Sequence, residues 1–325
     1  MRSGPGAGAG PPGPRPVRVV HHLENVMGTV VVIDVYAAAD AGATDRDVGW
    51  PGGEVNRQLA EAVAILHRAD ATFSTWRPDS PVSRLRRGEI TRAQAPAEVA
   101  EVLHRCAVAR DLSAGWFDPW AMPDGFDPSG YVKGWAAQNA LAAFRASGTC
   151  GVLVNAAGDI ASAGGPAEGR PFRIGITDPH SPLRLAAIVE LTGAIATSGT
   201  YERGEHLIDP RSGRPAARAA SASVTGPDLG LADALATALA VAGEPGLALI
   251  EKLDGYEALI INSDGSRRCT KRFPIGAAGE ARLQRNHRLP GRASGLLHGG
   301  HAAWAVWACS GSPVGSPSSS RHLSC

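Results

Sequence analysis

An aspartate and a threonine lie four residues apart in the segment ADALATALAVAG, as Asp233 and Thr237. In a helix this spacing places the carboxylate and the hydroxyl on the same face. Mg2+ prefers hard oxygen ligands, completed by water and substrate phosphates, so the pair has the chemistry to hold a metal ion that bridges a diphosphate. The alternative is structural: Asp233 complements the dipole at the helix N-terminus and Thr237 is a tolerated core residue. Taken alone, the spacing favours the structural interpretation.

A single histidine, His206, lies in RGEHLIDPRSG, a pattern that predicts a short strand running into an Asp-Pro turn that closes at Gly213. The histidine follows ATSGTYERG, a segment of small residues where backbone can approach a ligand closely. A neutral imidazole there can take a proton from an attacking hydroxyl. A lone histidine is usually a surface or packed residue, so both interpretations stay open.

Two further segments have the composition of a ligand site. In FDPSGYVKGWA, residues 126–136, Asp127 and Lys133 flank a Pro-Ser-Gly turn at the start of a predicted helix. Asp127 can equally be the helix cap and Lys133 a solvated charge. NAAGDI, residues 155–160, follows a predicted strand and can present backbone amides to a phosphate or a ring edge. It matches neither a Rossmann nor a P-loop fingerprint.

The elements that must position these residues mix helices and strands without regular alternation. Helical spacing of apolar residues predicts helices over 54–71, 96–114, 128–144 and 231–242, the last stopped by Gly243. β-Branched and apolar runs predict strands over 29–36, 152–155, 172–177, 187–191, 194–198, 221–225 and 257–262. This order favours an α+β fold over a doubly wound parallel sheet.

The ends of the chain lack such patterns. Residues 1–18 are rich in Gly, Pro and Ala, and residues 274–325 lack sustained periodicity, so we expect a disordered leader and a disordered tail around one domain at 19–273. The 325 residues carry 32 basic and 31 acidic side chains, a balance that does not suggest a nucleic-acid partner. We expect neither a spanning segment, nor a secretory leader, nor a membrane anchor, and hence a cytoplasmic protein.

The order of short motifs resembles that of the ApbE family of flavin transferases. The collinear blocks are MGT, FSTWRPDSPVSRL, GWFDP, DPSGYVKGWA, NAAGDI, ATSGTYERG with HLIDPRSGRP, and SVTGPD with ADALATA, and they cover roughly residues 22–265. The resemblance implies an α+β, two-lobed fold with mixed sheets, in which FAD lies in a cleft between the lobes with its diphosphate next to Mg2+. The domain at 19–273 is then a flavin transferase domain.

The resemblance also implies site residues. Asp233, Thr237 and the backbone carbonyl of Gly130 match the family's metal ligands, and His206 matches its proposed catalytic base. The positions that match FAD contacts are Met27, Trp76, Trp116, Phe117, Asp118, Asp127, Lys133 and Leu207. The family's glycine-rich NGGGD-like loop reads NAAGDI in this chain, so Ala156 and Ala157 add methyl groups where backbone approaches the ligand.

The activity implied is transfer of FMN from FAD to a Thr or Ser hydroxyl of an acceptor flavoprotein that carries a flavinylation motif, with AMP leaving. FAD is then a substrate and Mg2+ the cofactor. One alternative is an FAD pyrophosphatase, in which water replaces the protein hydroxyl. Another is a non-catalytic flavin-binding protein, although simple binding requires neither the paired oxygen ligands nor His206.

Overall fold

The computed structural model describes residues 17–38, 53–144, 149–199 and 207–276. Two antiparallel strands open it, β1 (Val17–Val26) and β2 (Thr29–Ala38), joined by a two-residue turn. Four helices follow as α1 (Glu54–Phe73), α2 (Pro81–Arg86), α3 (Ala97–Leu112) and α4 (Ser129–Ala142). No helix in these described ranges is long and apolar enough to cross a membrane.

The second half of the chain is mainly strands. In order these are β3 (Thr149–Ala156), β4 (Asp159–Gly164), β5 (Phe172–Asp178), β6 (Ser181–Leu191), β7 (Ala194–Gly199), β8 (Ile208–Asp209), β9 (Arg214–Pro215) and β10 (Ala219–Gly226). Helix α5 (Leu229–Ala242) then leads through a 3-10 turn, Glu244–Gly246, to α6 (Leu247–Ile250), β11 (Glu257–Asn262) and β12 (Arg267–Cys269).

One large sheet organises the described part of the chain. Its strand order is β1-β2-β3-β4-β7-β10-β11-β12, and the hairpins β5-β6 and β8-β9 form two small sheets. Each pairing among the described strands is antiparallel. Helices and antiparallel strands are thus combined without parallel crossover units, which confirms the predicted α+β class.

The large sheet separates two hydrophobic cores because successive side chains on a strand point to opposite faces. Val152 and Val154 of β3 belong to the core beneath the helices, whereas Leu153 between them belongs to a smaller core with Phe172 of β5. The β5-β6 hairpin therefore covers the face of the sheet that the helices leave open. Helix α5 lies in the larger core, where almost all of its residues are buried.

The predicted helices and all seven predicted strands are present, with their bounds shifted by a few residues. Strand β1 was missed, and since it begins at Val17 the predicted leader is too long by two residues. At the other end, Ile275 bridges to Val189 of β6, beyond the predicted domain end at 273. The rest of the predicted leader and tail, 1–16 and 277–325, lies outside the described residues.

Candidate active site

Helix α5 places Asp233 in the interior of the protein. The side chain of Asp228, just before the helix, accepts a hydrogen bond from the Leu231 N–H at 2.8 Å and so serves as the N-terminal cap. Asp233 lies beyond the first turn and is only 3% exposed. Its position therefore does not fit the structural alternative of a charge at the helix N-terminus. Thr237, one turn further on, is half-buried.

Thr237 lies where three elements meet. Its Oγ1 is 3.1 Å from Oγ of Ser198, near the end of β7. Gly130, in the first turn of α4, is also nearby: a Cβ built on Gly130 would lie 3.6 Å from Thr237 Oγ1 and 3.3 Å from the ring of Phe117. The predicted residues Gly130, Phe117 and Thr237 are thus brought together. We call Gly130, Ser198, Asp233 and Thr237 the α4–α5 oxygen site.

This close approach of helices depends on a second glycine. A Cβ built on Gly134 would lie 2.5 Å from the carbonyl oxygen of Leu229, at the start of α5. Backbone of α4 therefore packs directly against backbone of α5, which glycine permits because it has no side chain. The packing holds the first turn of α4 beside Thr237.

The α4–α5 oxygen site fits Mg2+ better than a transition metal. Its donors are a carboxylate, a hydroxyl and a backbone carbonyl, which are the oxygen ligands that Mg2+ prefers. Within the described residues, no group of three or more His, Cys, Asp or Glu side chains is arranged to hold a metal. Few protein ligands suffice for Mg2+, because it retains waters and binds substrate phosphates.

Lys133, one turn beyond Gly130, forms an ion pair with Asp159 at the start of β4. The carboxylate is 1% exposed, and its Oδ1 also accepts a hydrogen bond from the Thr197 N–H of β7 at 3.2 Å. Lys133 is therefore not simply the solvated charge that the sequence left open. Asp159 joins α4 to two strands of the large sheet.

A cleft of about 380 Å3 lies between the loop after α1 and the loop before α4. Its lining residues are Thr75, Trp76, Ser83, Arg86, Arg87, Asp124 and Asp127. The indole of Trp76 is 94% exposed. The Arg86 guanidinium donates to the Asp124 carbonyl oxygen from Nε at 2.9 Å and from Nη2 at 2.7 Å, which fixes the second loop against α2. The cleft therefore combines an open aromatic face with two arginines.

Asp127 serves the fold and the cleft together. Its Oδ1 accepts a hydrogen bond from the Ser129 N–H at 2.9 Å, so it supports the first turn of α4 as a capping residue would. It also lines the cleft, three residues before Gly130. The start of α4 therefore connects the cleft with the α4–α5 oxygen site.

Cys106 of α3 is buried, and burial, reinforced by the negative charge of Asp127, raises the pKa of its thiol. The thiol consequently stays protonated at neutral pH. Because the thiolate is the reactive form, this residue is unsuited to nucleophilic catalysis.

Other predicted contacts lie apart from the lining of the cleft. The guanidinium of Arg211, in the β8-β9 turn, stacks over the buried Trp116 ring at 3.5 Å from its centroid. Asp118 Oδ1 accepts a hydrogen bond from the Trp120 N–H at 2.9 Å. Met27 lies in the β1-β2 turn at φ 55°, and Leu207 is buried in the larger core. His206 lies outside the described residues.

The predicted amide-presenting segment at 155–160 is a tight hairpin between β3 and β4. Only Ala157 and Gly158 form the turn, and the Gly158 N–H donates to Oδ1 of Asn155 at 2.8 Å. That amide is satisfied within the hairpin, so it is not one of the amides that the segment could present to a ligand.

Sequence reasoning missed four residues that the structure places at the site: Asp159, Ser198, Arg86 and Arg87. Asp159 and Ser198 do occur in segments that were singled out, NAAGDI and ATSGTYERG. Their partners lie in other elements, so the sequence carried no signal for the contacts. The arginine pair in SRLRRG was visible as a local concentration of positive charge.

Known proteins share this arrangement of elements. A family model described as "ApbE family" matches residues 27–124 and 121–260. An "FAD:protein FMN transferase" of Rhodobacter capsulatus is 37% identical over 150 residues, which are 43% of this chain and 28% of that protein. A protein of the same name from Salmonella typhimurium is 31% identical over 156 residues, 44% of this chain and 45% of that protein. The matches thus span less than half the length of these relatives.

Solved structures agree with the fold. The flavin transferase ApbE from Vibrio cholerae has a TM-score of 0.65 and 22% identity, covering 81% of this chain and 98% of that one. The ApbE protein from Thermotoga maritima has a TM-score of 0.65 and 20% identity, covering 78% of this chain and 98% of that one. At these identities the likeness concerns the fold alone.

Proposed function

The chain belongs to the ApbE family, and on that basis we propose that it is an Mg2+-dependent FAD:protein FMN transferase. It transfers FMN from FAD to a Thr or Ser hydroxyl of an acceptor flavoprotein and releases AMP. The observation that carries the proposal is that one short segment contributes to both sites: Asp127 lines the cleft, and Gly130, three residues later, lies against Thr237. The name of the relatives from Rhodobacter capsulatus and Salmonella typhimurium, FAD:protein FMN transferase, supports the reaction proposed.

The cleft is the proposed FAD site. Its volume falls within the range of small-molecule pockets, roughly 300–1,000 Å3. Trp76 offers a flat exposed face on which a ring of FAD can stack, while Arg86 and Arg87 offer positive charge for its phosphates. Met27, Trp116, Phe117, Asp118, Lys133 and Leu207 stay proposed contacts on the strength of the resemblance.

Asp233, Thr237 and the Gly130 carbonyl are the proposed Mg2+ ligands. When bound there, Mg2+ would neutralise negative charge on the diphosphate of FAD. The acceptor hydroxyl attacks the FMN-side phosphorus, so that a new P–O bond forms as the diphosphate P–O bond to AMP breaks. His206 accepts the hydroxyl proton. Lys133, held by Asp159, keeps α4 and its positive charge in place beside the α4–α5 oxygen site.

Intact-mass measurement tests this function directly. The purified chain is incubated with FAD, Mg2+ and an acceptor protein that carries a Ser/Thr flavinylation motif. We expect covalent FMN on the acceptor, lost with EDTA, with Asp233→Ala and with His206→Ala. Asp254→Ala and His104→Ala, at exposed positions outside the site, are the matched controls and should label the acceptor normally.

Other outcomes would replace the proposal. Free FMN and AMP without acceptor labelling would identify an FAD pyrophosphatase. Bound, uncleaved FAD that does not respond to metal would identify a flavin-binding protein.

A further inference from the structure

The side chain of Ser198 forms a hydrogen bond with the side chain of Thr237. Its hydroxyl oxygen lies 3.1 Å from Thr237 Oγ1, and Ser198 is only 9% exposed. The two residues belong to different elements, β7 and α5, which pack together in the larger core. Ser198 is absent from the residues that the family resemblance assigns to the metal.

A threonine in a helix has a choice of rotamers, because its hydroxyl can also bond the carbonyl oxygen three or four residues earlier. For Thr237 the residue four earlier is Asp233. In the structure Thr237 Oγ1 instead lies 3.1 Å from Oγ of Ser198. An external partner in β7 therefore decides which way the hydroxyl points.

We propose that Ser198 is a positioning residue that accepts a hydrogen bond from the Thr237 hydroxyl, so that the Thr237 lone pairs are left for the metal position beside Gly130. This inference rests on the proposed function, since it concerns the proposed Mg2+ ligands. A hydroxyl has one donor and two acceptor lone pairs. If Thr237 donates its one O–H in the hydrogen bond to Ser198, both of its lone pairs remain for a cation. Partners that orient metal ligands in this way contribute strongly to metal affinity.

Strand β7 also supplies a matched control. Thr197, the neighbour of Ser198, has its Oγ1 at 2.8 Å from Oγ of Ser223 in β10. Because side chains alternate along a strand, this second pair lies on the opposite face of the sheet from α5. Ser223→Ala thus removes a similar hydroxyl contact from the same sheet at a distance from the proposed metal ligands.

Metal binding is measured with Mn2+, which hard-oxygen sites accept in place of Mg2+, by titration of the full chain with free Mn2+ followed by electron paramagnetic resonance. Ser198→Ala should weaken Mn2+ binding about tenfold. Ser198→Cys keeps the size but replaces the hydroxyl with a weak hydrogen-bonding group, and should do the same. Ser223→Ala should bind Mn2+ as the unmodified chain does.

Two results would overturn the proposal alone: unchanged Mn2+ affinity in both Ser198 variants, or equal weakening in Ser223→Ala, which would reflect general loosening of the sheet. Asp233→Ala separates these from failure of the proposed function. If Asp233→Ala binds Mn2+ as well as the unmodified chain, or if the unmodified chain binds none, the metal site itself is wrong and this inference falls with it.

Discussion

The ammonium group of Lys133 forms an ion pair with the carboxylate of Asp159, across the boundary between α4 and the large sheet. The lysine side chain is 21% exposed and the aspartate 1% exposed. A buried carboxylate depends on its counter-ion, because the interior solvates charge poorly. The pair therefore ties a predicted FAD-contacting residue to a residue of the NAAGDI segment.

Removing the lysine should destabilise the fold. We expect Lys133→Met to lower the free energy of unfolding by about 3 kcal/mol, because it leaves the Asp159 charge buried without its partner. The double variant Lys133→Met with Asp159→Asn should lose less than the sum of the two single variants. Urea unfolding of the three variants measures this coupling, and strictly additive losses would show that the pair contributes no interaction energy.

The packing of α4 on α5 predicts a large effect from one methyl group. Gly134→Ala should cost about 1–3 kcal/mol, because the new Cβ would overlap the carbonyl oxygen of Leu229 and push the helices apart. Gly53→Ala, just before α1, is the control: its Cβ would meet nothing within 4 Å, and its φ of −82° suits alanine. Thermal unfolding compares the two, and equal Tm values would contradict the packing argument.

The two alanines of NAAGDI should respond in opposite directions to glycine. Ala157 has φ 54°, a left-handed backbone that costs an L-residue roughly 1–2 kcal/mol. Ala157→Gly should therefore raise the free energy of unfolding by about 0.5 kcal/mol after the added entropy of the unfolded chain. Ala156 is fully buried in β3, so Ala156→Gly should lower the free energy of unfolding by about 1 kcal/mol. Chemical denaturation checks both signs, and a loss for both variants would contradict the strain at Ala157.

Trp76 should matter for FAD and not for the fold. With 94% of its surface exposed, the side chain contributes little packing. If a ring of FAD stacks on it, Trp76→Ala should weaken FAD binding by about 1–3 kcal/mol, or roughly fivefold to 150-fold, with unchanged Tm. Isothermal titration with FAD measures the affinity, and Trp76→Phe should retain most of it. Unchanged affinity in Trp76→Ala would place the ring of FAD elsewhere.

Acid should weaken a contact between β1 and α1. Glu24 Oε1 lies 2.9 Å from Nε2 of His67, and Oε2 lies 3.0 Å from Nε2 of His22. These hydrogen bonds lower the pKa of the Glu24 carboxyl from its usual value of 4.5, and the bond with His67 has the larger effect. A carboxyl whose pKa is lower in the folded state than in the unfolded state stabilises the fold. This stabilisation is complete when the pH is above the unfolded-state pKa, and it is lost as the pH falls through the folded-state pKa.

The urea midpoint of the unmodified chain should consequently drop more steeply below about pH 4.5 than that of Glu24→Gln. Burial raises the pKa of Asp34 and gives a contribution of opposite sign, but both proteins share it, so it cancels in the comparison. Parallel curves for the two proteins would contradict the role of Glu24.

Local sequence patterns were sufficient to predict most of the helices and several of the strands. Apolar spacing predicted the long helices, including α5 and its stop at Gly243, where the backbone reaches φ 69°. The same helical spacing placed Asp233 and Thr237 on one face, as a property of any helix. Strand β2, with its run of β-branched residues, was predicted, whereas β4, with the sequence DIASAG, was missed because its small residues have little β preference and are buried only by their neighbours.

Tertiary structure decided which of these residues meet. Lys133 and Asp159 are 26 residues apart, and Ser198 and Thr237 are 39 apart. These contacts follow from the strand order β4-β7-β10 and from the packing of α4 on α5 at Gly134. Periodicity reports which face of an element is buried, but not which other element covers that face. The sequence by itself therefore determined the elements and the oxygen pair on α5, and only the packing of distant segments brought Gly130 and Ser198 beside it.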